Sequence, residues 1–316
     1  MSSSGDLPLV SILAANYNGA AYVLETLESI KSQTYPNIEL IIVDDASADN
    51  SPDLIEEWLK TANIPHKFIR HEKNKGLCAT CNELIRNANG KYISFIATDD
   101  VFLPEKISSQ VKIMENCSDS VAVVYSDTYL MDSSSKRRFG TFMTTLSQLK
   151  FEYAPSGNVL EYLQDAHFLH WLSALAKRDV YNTVGYYDES LPFEDYDMSL
   201  RIAKKFQIQY VPDIQTIYRV HSASMSGKVV DWQIYLLPLY LKHLDLPKFR
   251  ERASEVILSA YLKKNKDTLK WLEQYNAVTG ERVKYQSWIK SGVSPFITLQ
   301  YLKGVRFLKR LTKKLK

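Results

Sequence analysis

Apolar residues along the chain come in short unbroken runs, separated by segments where they recur every three or four positions. LVSILAA (9–15), IELIIV (38–43), KYISFIA (91–97) and VAVVYSD (121–127) are almost continuous apolar stretches, as strands covered on both faces require. HKFIRH (66–71) is a fifth, weaker strand pattern. Helical spacing fills the gaps: about 21–33, LIEEWLK after Pro52, 76–88, and from Pro104 to about 116. Proline at a first helical turn marks two of these starts. The alternation predicts an α/β fold, a doubly wound and mostly parallel sheet. From 138 to 157 the pattern is irregular. Helical spacing returns over 159–164 and from the acidic cluster 194–197 to about 206. IQYVPD (208–213) reads as a short strand and TIYRVHSASMSG (216–227) as a closing small-residue loop. Beyond 229 only helices are expected.

In doubly wound sheets ligands bind outside the carboxyl ends of the strands. Three of these ends carry polar residues: Tyr17–Asn18, Asp44–Asp45 and Asp99–Asp100. Two adjacent carboxylates closing an apolar strand need something positive to neutralise them.

Composition changes this picture little. The 316 residues are 24% charged and 45% hydrophobic, with net charge +3, which argues against a nucleic-acid partner. The charge is uneven, however: 282–316 holds ten Lys or Arg and no acid. Three cysteines give no disulfide framework and fit a reducing compartment. Cys78 and Cys81 form a C-x-x-C inside a helix pattern with no second pair, so a packing role is expected. The N-terminus lacks a signal-peptide pattern, and no apolar run approaches a membrane span.

The run VSILAANYNGAAYVLETLESIKSQTYPNIELIIVDDASADNS resembles the start of glycosyltransferase family 2. The resemblance continues through NKGLCATCNELIRNANGKYISFIATDD and FEDYDMSLRIA to YRVHSASMS, covering about 8–227. It implies a GT-A fold with a C-terminal helical extension: a glycosyltransferase domain over 1–228 and helices over 229–316. Within the first, about 8–127 would bind nucleotide and about 128–228 the acceptor. It also implies inverting transfer from a nucleotide-sugar, with Mn²⁺ or Mg²⁺ bridging the diphosphate. A cation held by carboxylates would supply the missing positive charge.

Carried over residue by residue, the resemblance puts Tyr17 against the base, with Ala15 and Asn18 shaping its pocket. Asp45 would accept from the imide of uracil or thymine, and Asp44 would either assist or cap the next turn. Gly76 would admit close backbone approach, and Asn82, Thr98, Asp99 and Asp100 would also line the nucleotide site. Asp99, with His221 and Asp100, would hold the metal. In FEDYD, Asp195 would be the base that deprotonates the acceptor hydroxyl, Glu194 would position the acceptor, and Arg201 would pair with one of these acids. Two departures stand out: Ala97 replaces the family's first aspartate, and Cys81 replaces an arginine. The first puts a ribose contact in question, which Asp100 could take over; the second, a phosphate or packing contact.

The tail from 301 to 316 gathers Tyr301, Val305, Leu308, Leu311 and Leu315 on one helical side and Lys303, Arg306, Arg310, Lys313 and Lys314 on the other. Such a helix suits an anionic membrane surface, fitting a cytoplasmic protein peripheral on the inner membrane and a lipid-linked or glycan acceptor in bacterial surface-polysaccharide synthesis. Two alternatives stay open: a catalytically silent nucleotide-sugar binder, motivated by the departures, and a nucleotidyltransferase, whose basic phosphate loop NYNGAA lacks.

Overall fold

The computed structural model describes residues 7–134, 138–146, 154–191, 193, 195–222, 224, 229–283, 286–295, 297–298 and 300–302. The chain divides into two compact units, 1–227 and 228–316.

The first unit opens with five strands and four helices in alternation: β1 (Val10–Asn16), α1 (Val23–Lys31), β2 (Ile38–Asp44), α2 (Ser51–Leu59), β3 (His66–Arg70), α3 (Leu77–Asn87), β4 (Tyr92–Ala97), β5 (Val101–Phe102) and α4 (Lys106–Asn116). Then come β6 (Val121–Tyr125), β7 (Tyr129–Asp132), β8 (Arg138–Thr141), α5 (Leu160–Asp165), β9 (Leu175–Lys177), α6 (Val180–Val184), α7 (Asp195–Ala203), β10 (Gln207–Tyr210) and β11 (Thr216–Val220). Single helical turns at Phe142–Leu146 and Trp171–Ser173 link these elements.

A seven-stranded sheet has the order β10-β6-β9-β4-β1-β2-β3. Its strands run parallel except β9, which pairs antiparallel with both β4 and β6. Val10, Ile12 and Ala14 of β1 point into a core with Leu27, Ile55, Trp58, Ile107 and Val111 from α1, α2 and α4. Helix α3 lies against β1 and β2, so both faces of the central strands are covered and their runs are almost continuously apolar. The fold class is the one the alternation predicts.

A second sheet, β5-β11-β7-β8, was not predicted. TIYRV, read as the start of a loop, is its strand β11. It pairs antiparallel with β5 and parallel with β7. That sheet positions the chemistry: β5 follows Asp99–Asp100 directly, and β11 ends just before His221.

The second unit comprises α8 (Trp232–Lys242), α9 (Pro247–Leu262), α10 (Thr268–Thr279) and α11 (Gln286–Lys290). Leu237, Phe249, Ala253, Ile257 and Leu272 are among its buried residues. Among the described residues no helix is long and apolar enough to cross a membrane. The predicted tail helix lies outside the described residues beyond Leu302.

Candidate active site

Because β4, β1 and β2 are neighbours in register, their carboxyl ends share one edge. A single side chain ties them together. Asn16, the last residue of β1, is buried. Its Nδ2 donates to Asp44 Oδ1 (2.6 Å), Ser51 Oγ (2.9 Å) and Ser47 Oγ (3.2 Å). Its Oδ1 accepts from Thr98 Oγ1 (2.6 Å). Sequence reasoning passed over Asn16. The available signal was a polar residue closing an apolar run, where burial demands partners.

Several expected ligand-binding residues build this edge. Thr98 gives its hydroxyl to Asn16. Asp44 accepts from the Ser47 hydroxyl (2.5 Å) and N–H (3.1 Å), closing the turn after β2, the second of the two roles considered for it. Asn18, with φ +53°, accepts from Ala48 N–H (2.8 Å) and donates its own N–H to Ser47 Oγ (2.8 Å), lacing the two loops. Between them Gly19 is required: a Cβ there would lie 2.4 Å from Asn16 Oδ1 and 2.6 Å from Thr98 Oγ1. Ala15 is half-buried at the same edge.

Asp45 is buried beside them. Its Oδ1 accepts from Lys75 N–H (2.7 Å) and lies 2.7 Å from His71 Nδ1; its Oδ2 accepts from Gly76 N–H (2.9 Å). His71 Nε2 in turn faces Glu83 (2.8 Å). Of roughly four acceptor positions on a carboxylate, these contacts leave one on Oδ2. Gly76, with φ +87°, opens α3 at this point, and Tyr17 stands at the rim, 56% exposed.

Asn82 does not join this group. Its amide is consumed by Tyr187 N–H (2.8 Å), Tyr187 O (3.0 Å) and Glu189 (2.8 Å), because its face of α3 packs on the 187–189 turn. Cys78 and Cys81 are buried on the same helix.

At the end of β4, Asp99 Oδ2 lies 2.9 Å from His221 Nε2. A carboxylate and an imidazole, both partly exposed, fit a divalent cation that takes its other ligands from diphosphate oxygens and water. Among the described residues no group of three His, Cys, Asp or Glu gathers to hold a metal unaided. Asp100 stays apart from the pair. It is buried and accepts the Arg219 N–H (3.0 Å), and burial, then the charge of Asp99, pushes its carboxyl well above the usual range. The structure thus places Asp100, expected at the metal and the ribose, against the backbone of β11. Arg219 is fully buried: Nε donates to Asp99 O (2.8 Å), Nη2 meets Glu25 (2.7 Å), and the guanidinium lies over Tyr22 (4.4 Å). Ala97, where the family has an aspartate, is exposed at the same strand end.

Asp195 begins α7. Its Oδ1 accepts from Tyr196 N–H (2.7 Å), and its carbonyl accepts from Trp171 Nε1 (3.1 Å) and Ser199 Oγ (2.7 Å). The Trp171 ring stands edge-on to Phe95 of β4 (6.2 Å), linking this acid to the strand that carries Asp99. Asp197 is buried and paired with Arg201 (2.8 Å). Glu194 lies outside the described residues. Beside Asp195 is an aromatic group that sequence reasoning did not single out. His167 stacks on Tyr196 (4.6 Å) and His170 on Phe142 (4.4 Å). Burial, then neighbouring His167, holds His170 down to about 3.

Residues 11–185 match the model of Glycosyl transferase family 2. The chain belongs to this family. The chain is 32% identical over 225 residues to the Escherichia coli protein named UDP-Glc:alpha-D-GlcNAc-diphosphoundecaprenol beta-1,3-glucosyltransferase WfaP, covering 70% of this chain and 81% of WfaP. It is 31% identical over 231 residues to an uncharacterized glycosyltransferase of Rickettsia felis, covering 70% of this chain but only 36% of that relative. The chain thus spans about a third of the length of that relative, and 31% of a second, from Rickettsia bellii. In fold it is similar to S. aureus TarS 1–349 in complex with UDP-GlcNAc (TM-score 0.60, 16% identity, 84% of this chain and 79% of that one). It is also similar to the mannosyltransferase PcManGT of Pyrobaculum calidifontis in complex with GDP-Man and Mn²⁺ (TM-score 0.56, 18% identity, 90% and 83%). The architecture is that of the GT-A glycosyltransferases.

Proposed function

We propose that this glycosyltransferase moves a sugar from a UDP- or dTDP-linked donor to a hydroxyl of a lipid-linked glycan, inverting the anomeric centre, with a divalent cation in the donor site. The observation that carries this reading is the meeting of Asp99 and His221, 122 positions apart in sequence, at 2.9 Å beside the carboxyl end of β4. When bound, Mn²⁺ or Mg²⁺ would neutralise the charge that develops on the diphosphate leaving group. Asp99 and His221 would hold it. The remaining acceptor position of Asp45 suits a pyrimidine imide N–H, and Tyr17 at the rim suits the base ring. Asp195 would take the proton of the acceptor hydroxyl as that oxygen attacks. A single base acting on the acceptor as it attacks would suit one displacement with inversion. WfaP's name supports a UDP-sugar donor and a diphospholipid acceptor, and the basic 301–316 pattern suits contact with the membrane bearing it.

The test is release of nucleoside diphosphate from a panel of UDP-, dTDP- and GDP-sugars, with Mn²⁺, Mg²⁺ or EDTA, for the native chain and Asp99→Ala. Turnover of one donor that needs both cation and Asp99 supports the reading. Metal-independent turnover, or an active Asp99→Ala, overturns the donor site. Binding of a donor without turnover, with any acceptor supplied, favours the silent-binder alternative that exposed Ala97 suggests.

A further inference from the structure

His167 lies in the segment that leads into Trp171, whose indole already holds the Asp195 carbonyl. Its Nε2 is 3.7 Å from Asp195 Oδ2. That nitrogen is sealed from solvent and makes no hydrogen bond, although the side chain as a whole is 20% exposed. A buried polar atom without a partner is uncommon and costly. The plane of the ring is held on two sides. It is stacked at 16° on Tyr196 and met edge-on by Phe142 at 83°.

Asp195 shows the complementary arrangement. One carboxylate oxygen is fixed by the Tyr196 N–H; the other faces His167. A gap of 3.7 Å is about 0.8 Å too long for a hydrogen bond. Contacts of a catalytic base are often long before substrate binds and tighten in the reacting complex. A base oriented by a third group is also the recurring arrangement in activated proton transfers.

We propose that His167 is a positioning residue for Asp195. It carries its proton on Nε2, and the Nε2–H closes onto Asp195 Oδ2 when the acceptor enters. Both oxygens are then fixed, and the remaining lone pair of Oδ2 is aimed at the acceptor hydroxyl. The hydroxyl proton passes to Asp195 while its oxygen bonds to the anomeric carbon and the diphosphate leaves; His167 keeps its own proton throughout. This inference rests on Asp195 being the base.

The pairing is read directly from ¹H–¹⁵N long-range NMR correlations of the six histidines in the full chain, with His167 assigned by the signal lost in His167→Phe. The expected result is the Nε2–H tautomer, shifting on Asp195→Ala. An Nδ1–H tautomer, or no response to Asp195→Ala, overturns the proposal. Kinetics with UDP-glucose and a GlcNAc-diphosphate-alkyl acceptor supply the second readout. His167→Phe keeps the ring stack but loses the donor, and is expected to lower kcat for transfer by about tenfold to a hundredfold. The donor KM should stay unchanged. His167→Gln, whose amide can reach the same position, should recover part of the loss. Transfer by His167→Phe within about twofold of native sinks the idea, as does Gln faring no better than Phe. Asp195→Asn separates the two levels: if it still transfers, the base assignment falls and the positioning role with it. If it is inactive while His167→Phe is normal, only the positioning role falls.

Discussion

Replacing Asn16 by Asp changes one NH₂ into an oxygen and nothing in shape. In the native protein that NH₂ is 2.6 Å from Asp44 Oδ1 and also serves Ser47 and Ser51. In Asn16→Asp two buried carboxylates face each other across that distance. Such a pair escapes repulsion by holding one proton. Protonating an ordinary carboxyl, which titrates near 4, costs at pH 7 about 1.4 kcal/mol for each of three units, or about 4 kcal/mol. The variant should therefore lose about 4 kcal/mol at pH 7. Its folded state holds a proton that the unfolded chain releases, so its deficit shrinks as pH falls, by about 1.4 kcal/mol per unit. Asp44→Asn in the same chain restores a donor–acceptor pair with the roles exchanged, and should recover most of the loss. Hydrogen exchange of the β1 and β2 amides in the full-length protein, read at pH 7 and pH 5, measures this locally. A deficit below about 1 kcal/mol at pH 7, or a double variant no more protected than the single one, would refute the claim that Asn16 joins the strand ends.

Three further outcomes are expected. His221→Ala should raise the Mn²⁺ concentration needed for half-maximal donor turnover by about tenfold or more, and Asp99→Ala should remove metal-dependent turnover; metal titrations of both variants check this. His170 is held down to about 3 from 6.5, so the unfolded chain binds the extra proton between those values. Stability should fall with pH across that window by at most about 1.4 kcal/mol per unit, and His170→Phe, which keeps the stack on Phe142, should flatten the curve in denaturation experiments. Lys106 is fully buried, its Nζ donating to Ala174 O (2.9 Å) and Ser94, and burial pushes its amine well below the usual range. The unfolded chain then binds more protons below the usual lysine range, so native stability relative to Lys106→Met should rise with pH, by about 1.4 kcal/mol per unit at most; parallel denaturation curves up to about pH 10 would count against a depressed lysine.

The legible parts of the sequence were those whose burial is local and continuous. β1, β2 and β4 are apolar on both faces because helices cover both, and nothing else produces such runs. β5 and β9 are two and three residues long, too short for a period, and exist only because distant strands pair with them. TIYRV reads as strand only once β5 and β7 flank it. The same division runs through the site. The aspartates at the strand ends were visible as charges that needed a partner. That Asp44 is taken up by the fold depended on the hydrogen-bond hub at Asn16, and the partner that Asp99 meets is His221, 122 positions away. The 187–189 turn that claims Asn82 lies 105 positions away, beyond any local pattern. His167 and His170 gave no signal, since isolated histidines in an aromatic stretch look like packing.

Strand β9 also fixes a timetable. In the large sheet β4 and β6 do not touch; Leu175, Ala176 and Lys177 stand between them. A chain emerging from the ribosome can zip β3, β2, β1 and β4 together once residue 97 is out. Val121–Tyr125 has no place in that sheet until β9 arrives, and closing so long a loop is slow. During the interval the β4 edge is open to any strand that passes. The edge joined by Asn16 can thus take shape while the segment from β6 onward is still being made. Asp195 comes later still, on α7, and His221 follows just after β11. Synthesis runs past two-thirds of the chain before Asp99 can meet His221.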